Sequence, residues 1–205
     1  MYQNKPIIER QLFDKATVAT IQRFMDEWLP LTPVESESKE TPTPHRFRRR
    51  YGHNVPFFVG IHNQLTDFAS EMFGEKVKPS YSFLSLYNEG GTCPLHLDRP
   101  QCRYTIDYLI RQEMSEPWPI AIGTQMTNDQ RELITDSSAS YMADDDDEIE
   151  TIIEETEWTR CLLKPNDAVC YSGTHSWHYR PTVSTGTVDL VFFHFVPRNF
   201  DGSLN

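Results

Sequence analysis

Leu95-His96-Leu97-Asp98 is the stretch that decides the fold, together with a second one much later in the chain, Gly173-Thr174-His175-Ser176-Trp177-His178-Tyr179-Arg180. In an extended segment, side chains two residues apart point to the same side, so His96 and Asp98 can reach one ion while Leu97 faces away. Two imidazoles and one carboxylate on one face of an octahedral ion form the ligand set of many non-haem iron sites. We therefore predict a metal site completed by His175 or His178.

A His-x-Asp pair on its own is a weak signal, because roughly one chain in three with this many histidines contains it by chance. Two flanking segments supply context. Tyr87-Asn88-Glu89-Gly90-Gly91-Thr92-Cys93-Pro94 precedes the pair, and the segment from Leu163 to Gly173 precedes the distal histidine. The joint pattern is more specific than any one of its parts.

These segments resemble the Fe(II)/2-oxoglutarate-dependent dioxygenases, particularly their prolyl-hydroxylase-like branch. The resemblance covers residues 79–198 and has three parts. They are a strand ending at Tyr87 that leads into the metal pair, a Pro-x-Asp-Ala-Val-x-Tyr-x-Gly segment from Pro165 to Gly173, and His178-x-Arg180 followed by the apolar strand Val188 to Val196. The resemblance favours His178 over His175, because His178 stands five residues after Gly173 and is followed by x-Arg.

The resemblance implies a fold and an activity. The fold is α+β, a double-stranded β-helix of the jelly-roll or cupin-like kind with N-terminal helices packed on one sheet. The activity is that of a hydroxylase that uses Fe(II), 2-oxoglutarate and O2 and releases succinate and CO2, with His96, Asp98 and His178 as metal ligands and catalytic residues. The substrate is expected to be a small molecule, an amino acid or a peptide side chain.

One departure from the family concerns the far carboxylate of 2-oxoglutarate. Relatives commonly place Arg or Lys nine or ten residues after the distal histidine, but this chain has Thr187 and Val188 there. Arg180 is the first candidate for the cationic partner that the carboxylate requires. By similarity, the hydroxyls of Tyr108 and Tyr87 are candidate cosubstrate contacts, although core packing explains an alternating tyrosine equally well.

This departure keeps two alternatives open. One is a non-catalytic jelly-roll protein that binds metal or a partner. The other is a cupin-type dioxygenase that uses the same ligands without 2-oxoglutarate. Oxygen-dependent succinate formation distinguishes the hydroxylase from both.

The composition limits the remaining classes. With 205 residues we expect a single domain, with a helical part at about 1–78, the jelly-roll core at about 79–198 and a polar, acidic insertion at about 127–157. The net charge of −11 argues against binding to nucleic acid, and no apolar run is long enough to span a membrane. Four cysteines without a Cys-x-x-Cys pair, and an N-terminus without an apolar signal region, predict free thiols and a cytoplasmic location. No oligomeric state is predicted.

Periodicity predicts the individual elements. Asp14 caps a helix to about Leu29, and a second helix runs from Asn54-Val55-Pro56 to Phe73. We expect strands at 81–87, 103–111, 118–122, 161–163, 168–171 and 187–196.

Two charged segments have more than one interpretation. His45 to Tyr51 alternates aromatic and basic residues, which predicts a short strand near the site entrance. Its arginines could be exposed on an edge strand, pair with the acidic segment, or hold an acidic substrate. The acids between Asp144 and Glu157 predict a solvated loop, and the alternative is that they attract a cationic substrate to the pocket mouth.

Overall fold

The computed structural model describes residues 5–36, 47–124, 140–143 and 145–204. Within these ranges the strands form two antiparallel sheets. The large sheet has the order β1 (Ile7–Glu9), β10 (Ala168–Tyr171), β6 (Tyr104–Glu113), β12 (Thr187–Pro197), β4 (Val77–Asn88), β3 (Arg50–His53) and β2 (Glu35–Ser36). The small sheet has the order β8 (Tyr141–Met142), β5 (Cys93–Leu97), β11 (His178–Arg180), β7 (Ile120–Gly123) and β9 (Trp158–Cys161).

The path of the chain is that of a jelly roll. From β4 to β7, and again from β9 to β12, each strand crosses to the sheet opposite the one before it. Residues of both sheets, including Leu109 and Phe192 of the large sheet and Ile120 of the small one, share one hydrophobic cluster between them. The predicted fold class is therefore confirmed.

The three N-terminal helices cover the outer face of the large sheet. They are α1 (Lys15–Arg23), α2 (Pro56–Gln64) and α3 (Thr66–Phe73). Asp14 caps α1 as predicted, accepting from the Thr17 N–H at 2.7 Å, and the chain continues helically through a π-helical turn and a 3₁₀ turn to Leu31. The second predicted helix is divided at Leu65. Asn54 does not cap it, because its side chain instead accepts from the Ser82 N–H.

The N-terminal part is less helical than expected, because three short strands of it join the large sheet. β1 pairs with β10, while β2 and β3 extend the opposite edge beside β4. The segment predicted as a strand at 45–51 corresponds to β3, which begins five residues later and ends two residues later than predicted. Strands of two to four residues are too short for their periodicity to be recognised. Residues 37–46 lie outside the described residues.

The acidic segment is a helix, which corrects the prediction of a solvated loop. α4 spans Asp146–Glu155. Asp145 accepts from the N–H groups of Asp147 and Glu148, and acids in the first turn are stabilised by the positive end of the helix dipole. Ile149, Ile152 and Ile153 form an apolar stripe that packs against the small sheet. Asp144 and residues 125–139, which include the first part of the predicted insertion, lie outside the described residues.

We expect Asp145→Ala to lower the free energy of unfolding by about 1 kcal/mol, because it removes the acceptor that satisfies two N–H groups at the start of α4. Urea unfolding measures the change. Asp67→Ala, at an acid in the first turn of α3 that is not its capping residue, is the control. Equal stability of the Asp145 variant and the parent would show that α4 forms independently of its cap.

His62 ties α2 to the large sheet and makes the fold sensitive to acid. Its ring Nε2 lies 2.9 Å from the carbonyl oxygen of His194, and burial lowers the pKa of His62 to about 4. In the unfolded chain His62 therefore takes up a proton near pH 6.5, whereas in the folded protein His62 remains neutral at that pH. We expect the titration of His62 to lower the free energy of unfolding by roughly 2–3 kcal/mol as the pH falls from 6.5 to 4.

Urea unfolding at several pH values tests this contribution. His62→Gln is expected to flatten the dependence of the unfolding free energy on pH across that interval. An unchanged slope would assign the acid sensitivity to other groups.

Two further predictions concern the state of the cysteines and the absence of a membrane span. All four cysteines are buried and free. Among the described residues, no helix is both long and apolar enough to cross a membrane.

Candidate metal centre

The paired strands β5 and β11 bring the predicted ligands together. His178 is the register partner of His96, and the two ring centroids lie 4.1 Å apart. Asp98 follows the end of β5, with Oδ1 3.4 Å from Nε2 of His96 and Oδ2 3.8 Å from Nε2 of His178. Ligand atoms of the three residues lie within 4.8 Å of one another, so a single ion can reach all of them.

Backbone carbonyl groups orient both imidazoles. Nδ1 of His96 lies 2.8 Å from the carbonyl oxygen of Pro94, and Nδ1 of His178 lies 2.9 Å from that of Ser176. Each Nδ1–H therefore donates to backbone, which leaves Nε2 as the nitrogen facing Asp98. Metal-binding histidines are commonly fixed in this way by a hydrogen bond from the other ring nitrogen.

Gly173 leaves room for the Asp98 carboxylate. A Cβ at this position would collide with Oδ2 of Asp98 and lie 2.7 Å from the carbonyl oxygen of Cys102. The Asp98 N–H also donates to the Gly173 carbonyl oxygen at 2.9 Å. The glycine before the distal histidine is therefore needed for the close approach of the loop to Asp98, whatever its own backbone angles.

The protonation states suit metal binding. Burial alone would raise the pKa of Asp98, but His178 and the hydrogen bond with His96 outweigh it, so the pKa of Asp98 lies below its ordinary value. Burial, followed by the neighbouring His96, lowers the pKa of His178 to about 4. Near neutral pH the site therefore offers a charged carboxylate and a neutral imidazole at 178, the forms that bind cations.

A pocket of about 90 Å³ opens from the three predicted ligands into the space between the sheets. Phe47 packs edge-on against His96, with centroids 4.8 Å apart, and Tyr171 packs similarly against His178 at 5.0 Å. Two cations, Arg49 and Arg180, and the acid Asp107 also line it.

Arg180 and Asp107 form a buried ion pair in the pocket wall. Arg180 donates to Oδ2 of Asp107 at 2.6 Å and to the Trp118 carbonyl oxygen at 3.1 Å. Nε of Arg180 and Oδ1 of Asp107 are buried without a hydrogen-bond partner among the described residues. Such orphaned polar atoms are costly, so a pocket ligand that pairs with them would be favoured.

The two predicted tyrosines lie on different faces of the large sheet. Tyr87 is buried between the sheets, where its hydroxyl accepts from Arg49 at 3.2 Å. Tyr108 faces the helices instead, packing edge-on against Phe13 with its hydroxyl on the Asn166 side chain. This position gives no support to a cosubstrate contact by Tyr108. The alternation of side chains between the two faces of β6 was predicted correctly. The pocket, however, lies on the face that carries Thr105 and Asp107, and Tyr108 is on the other face.

The alternative ligand, His175, lies outside the three-residue group. Its ring contacts Arg103 and the Thr174 hydroxyl. His194, Tyr81 and Asp107 line the pocket, and sequence reasoning gave none of them a role. Asp107 had a usable signal, because an acid in the middle of an apolar strand must find a buried partner.

Comparison with known proteins identifies the fold. SnoK, a non-haem α-ketoglutarate-dependent carbocyclase from nogalamycin biosynthesis, matches with a TM-score of 0.72 and 8% identity, over 95% of this chain and 80% of SnoK. Iron-bound EctD from S. alaskensis matches with 0.68 and 12%, over 98% and 76%. HygX from Streptomyces hygroscopicus, with nickel and 2-oxoglutarate bound, matches with 0.63 and 10%, over 97% and 85%. No protein-family model and no curated protein matches the sequence. At these identities the likeness shows a shared fold.

Proposed function

We propose that this protein is an Fe(II)- and 2-oxoglutarate-dependent oxygenase that hydroxylates a C–H bond, with release of succinate and CO2. The observation that carries the proposal is the convergence of His96, Asp98 and His178 at the edge of an open pocket. Two proteins of the same fold support it: SnoK, which depends on α-ketoglutarate, and HygX, whose structure holds 2-oxoglutarate.

The three side chains fit Fe(II). Two imidazole nitrogens and one carboxylate oxygen are the donors of the facial iron triad, which leaves positions for a keto acid and O2. When bound, the metal and the cosubstrate supply the oxidising chemistry, while the protein binds, orients and shields the reactants. Phe47 and Tyr171 hold the two rings in place, and Gly173 admits the carboxylate.

For the far carboxylate of 2-oxoglutarate we propose Arg180. Its unpartnered Nε–H is the donor that a carboxylate would satisfy. Asp107 already balances the charge of Arg180, so the second cation in the wall, Arg49, adds the net positive charge. Tyr87 contributes by holding Arg49 through its hydroxyl.

The finer proposals rest on the sequence. Membership of the prolyl-hydroxylase-like branch is supported by the three matching segments, and hydroxylation is the outcome that this branch implies. The proposed substrate is a small molecule, an amino acid or a peptide side chain. We propose neither nucleic acid nor a membrane as a partner. The proposed location is the cytoplasm. The position of α4 on the outer face of the small sheet gives no support to a cationic substrate at the pocket mouth.

Turnover without a known substrate tests the function. The purified protein with Fe(II), ascorbate and 2-oxoglutarate should form succinate slowly in air and none under nitrogen. Asp98→Ala should form none in either. Oxygen consumption without succinate would favour the cupin-type alternative, and metal binding without consumption of either reactant would favour the non-catalytic one.

A further inference from the structure

A second set of metal-ligating side chains lies beside the first. Asp98, Cys102 and His194 also place ligand atoms within 4.8 Å of one another. Cys102 ends the 3₁₀ turn Pro100–Cys102 that follows the metal pair, and His194 lies on β12 of the large sheet. Both are buried, with 2% and 5% of their surfaces exposed.

The surroundings of these two residues resemble those of metal ligands. Nδ1 of His194 lies 3.0 Å from the Thr105 hydroxyl, so Nε2 is the nitrogen left to bind a metal. The Tyr81 hydroxyl lies 2.7 Å from Sγ of Cys102, and it can donate to the sulfur once the thiol proton has left. Burial lowers the pKa of His194 to about 3, so its imidazole is neutral.

We propose that Cys102, His194 and Asp98 form a second metal site, selective for a thiophilic divalent ion such as Zn²⁺ and sharing Asp98 with the iron site. A thiolate, an imidazole and a carboxylate are all zinc ligands, and three protein ligands leave one position for water. The iron site has no sulfur, so the two sites differ in the ions that they prefer.

Metal binding at this second site releases the proton of the Cys102 thiol. In the metal-free protein, burial followed by the charge of Asp98 raises the pKa of Cys102 well above its ordinary value. A bound cation reverses this preference, because it forms a bond to sulfur while the thiol proton leaves to solvent. Zinc that takes the Asp98 carboxylate weakens the His96–His178 site, so zinc is an inhibitor that acts next to the iron.

Cobalt spectroscopy separates the two sites. Co²⁺ bound to a thiolate gives a near-ultraviolet sulfur-to-cobalt charge-transfer band, which a site of histidine and carboxylate cannot give. Titration of the metal-free full chain with Co²⁺ alone should produce this band, and stoichiometric Zn²⁺ should remove it. Cys102→Ser should abolish it. Cys93→Ser should retain it, because Cys93 lines the pocket but lies outside the group.

His178→Ala distinguishes this proposal from the proposed function, because it removes an iron ligand and leaves the thiolate site intact. It should keep the band, whether or not the protein turns over 2-oxoglutarate. Circular dichroism confirms that each variant is folded, and the band of the unaltered chain does not depend on any variant. The proposal is overturned by a missing band in the unaltered protein, by a band that survives Cys102→Ser, or by a band lost in His178→Ala.

Discussion

Gly173→Ala is expected to weaken binding of Mn²⁺, as a stable substitute for Fe²⁺, by roughly 10–100-fold. The new Cβ would occupy the position of Oδ2 of Asp98 and lie 2.7 Å from the backbone oxygen of Cys102. The backbone oxygen cannot move as a flexible side chain does, so the carboxylate has to turn away from His96 and His178. Calorimetric titration measures the loss.

Gly60→Ala is the matched control for this experiment. Gly60 lies in α2, and a Cβ there would meet nothing within 4 Å. We expect normal Mn²⁺ affinity and a stability gain of roughly 0.5–1 kcal/mol, because alanine replaces glycine inside a helix. Normal Mn²⁺ affinity in Gly173→Ala would mean that Asp98 is not held by this loop, or that it is not a ligand.

The second large effect is expected at the buried ion pair. Arg180→Met should lower the free energy of unfolding by roughly 3–5 kcal/mol, because it leaves the Asp107 carboxylate buried without its partner. It should also abolish binding of N-oxalylglycine, a 2-oxoglutarate analogue, to the Mn²⁺-loaded protein. Urea unfolding and calorimetry measure the two effects separately.

Asp107→Asn separates the binding role of Arg180 from its structural role. This variant also loses stability, but it removes a negative charge from the pocket, so N-oxalylglycine should bind at least as tightly as to the parent. Asp26→Asn is the control, because Asp26 pairs with Arg111 at the surface and should change stability by less than about 1 kcal/mol. If Arg180→Met and Asp107→Asn lost the ligand equally, the pair would be structural and another group would hold the carboxylate.

The jelly-roll strands and the His96–Asp98 pair were accessible from the sequence because both depend on local patterns. His96 and Asp98 share one face through strand alternation, and β12 is a mostly apolar strand in which Asp189 and His194 are the charged or titratable residues. The position of His178 opposite His96 depends on strand pairing, which no single segment contains. The resemblance to a known family provided that link.

The errors have a common physical cause, which is that tertiary contacts decide between local alternatives. The acidic segment contains enough charge to remain solvated, but its isoleucines find an apolar surface on the small sheet and a capping aspartate starts the helix. Tyr108 and Asp107 are neighbours on opposite faces of β6, and only the arrangement of helices and sheets determines which face meets the pocket. Arg180 was predicted from its charge, but its pairing with Asp107 depends on the two sheets lying face to face.

Sequential calorimetry on the full chain tests the central claim most directly. With Mn²⁺ followed by N-oxalylglycine, we expect the keto-acid analogue to bind only after the metal, and His178→Ala to lose both binding steps. His175→Ala, the neighbouring histidine outside the group, should keep both. The account would be contradicted if N-oxalylglycine bound equally well without metal, or if His178→Ala bound both ligands as the unaltered protein does.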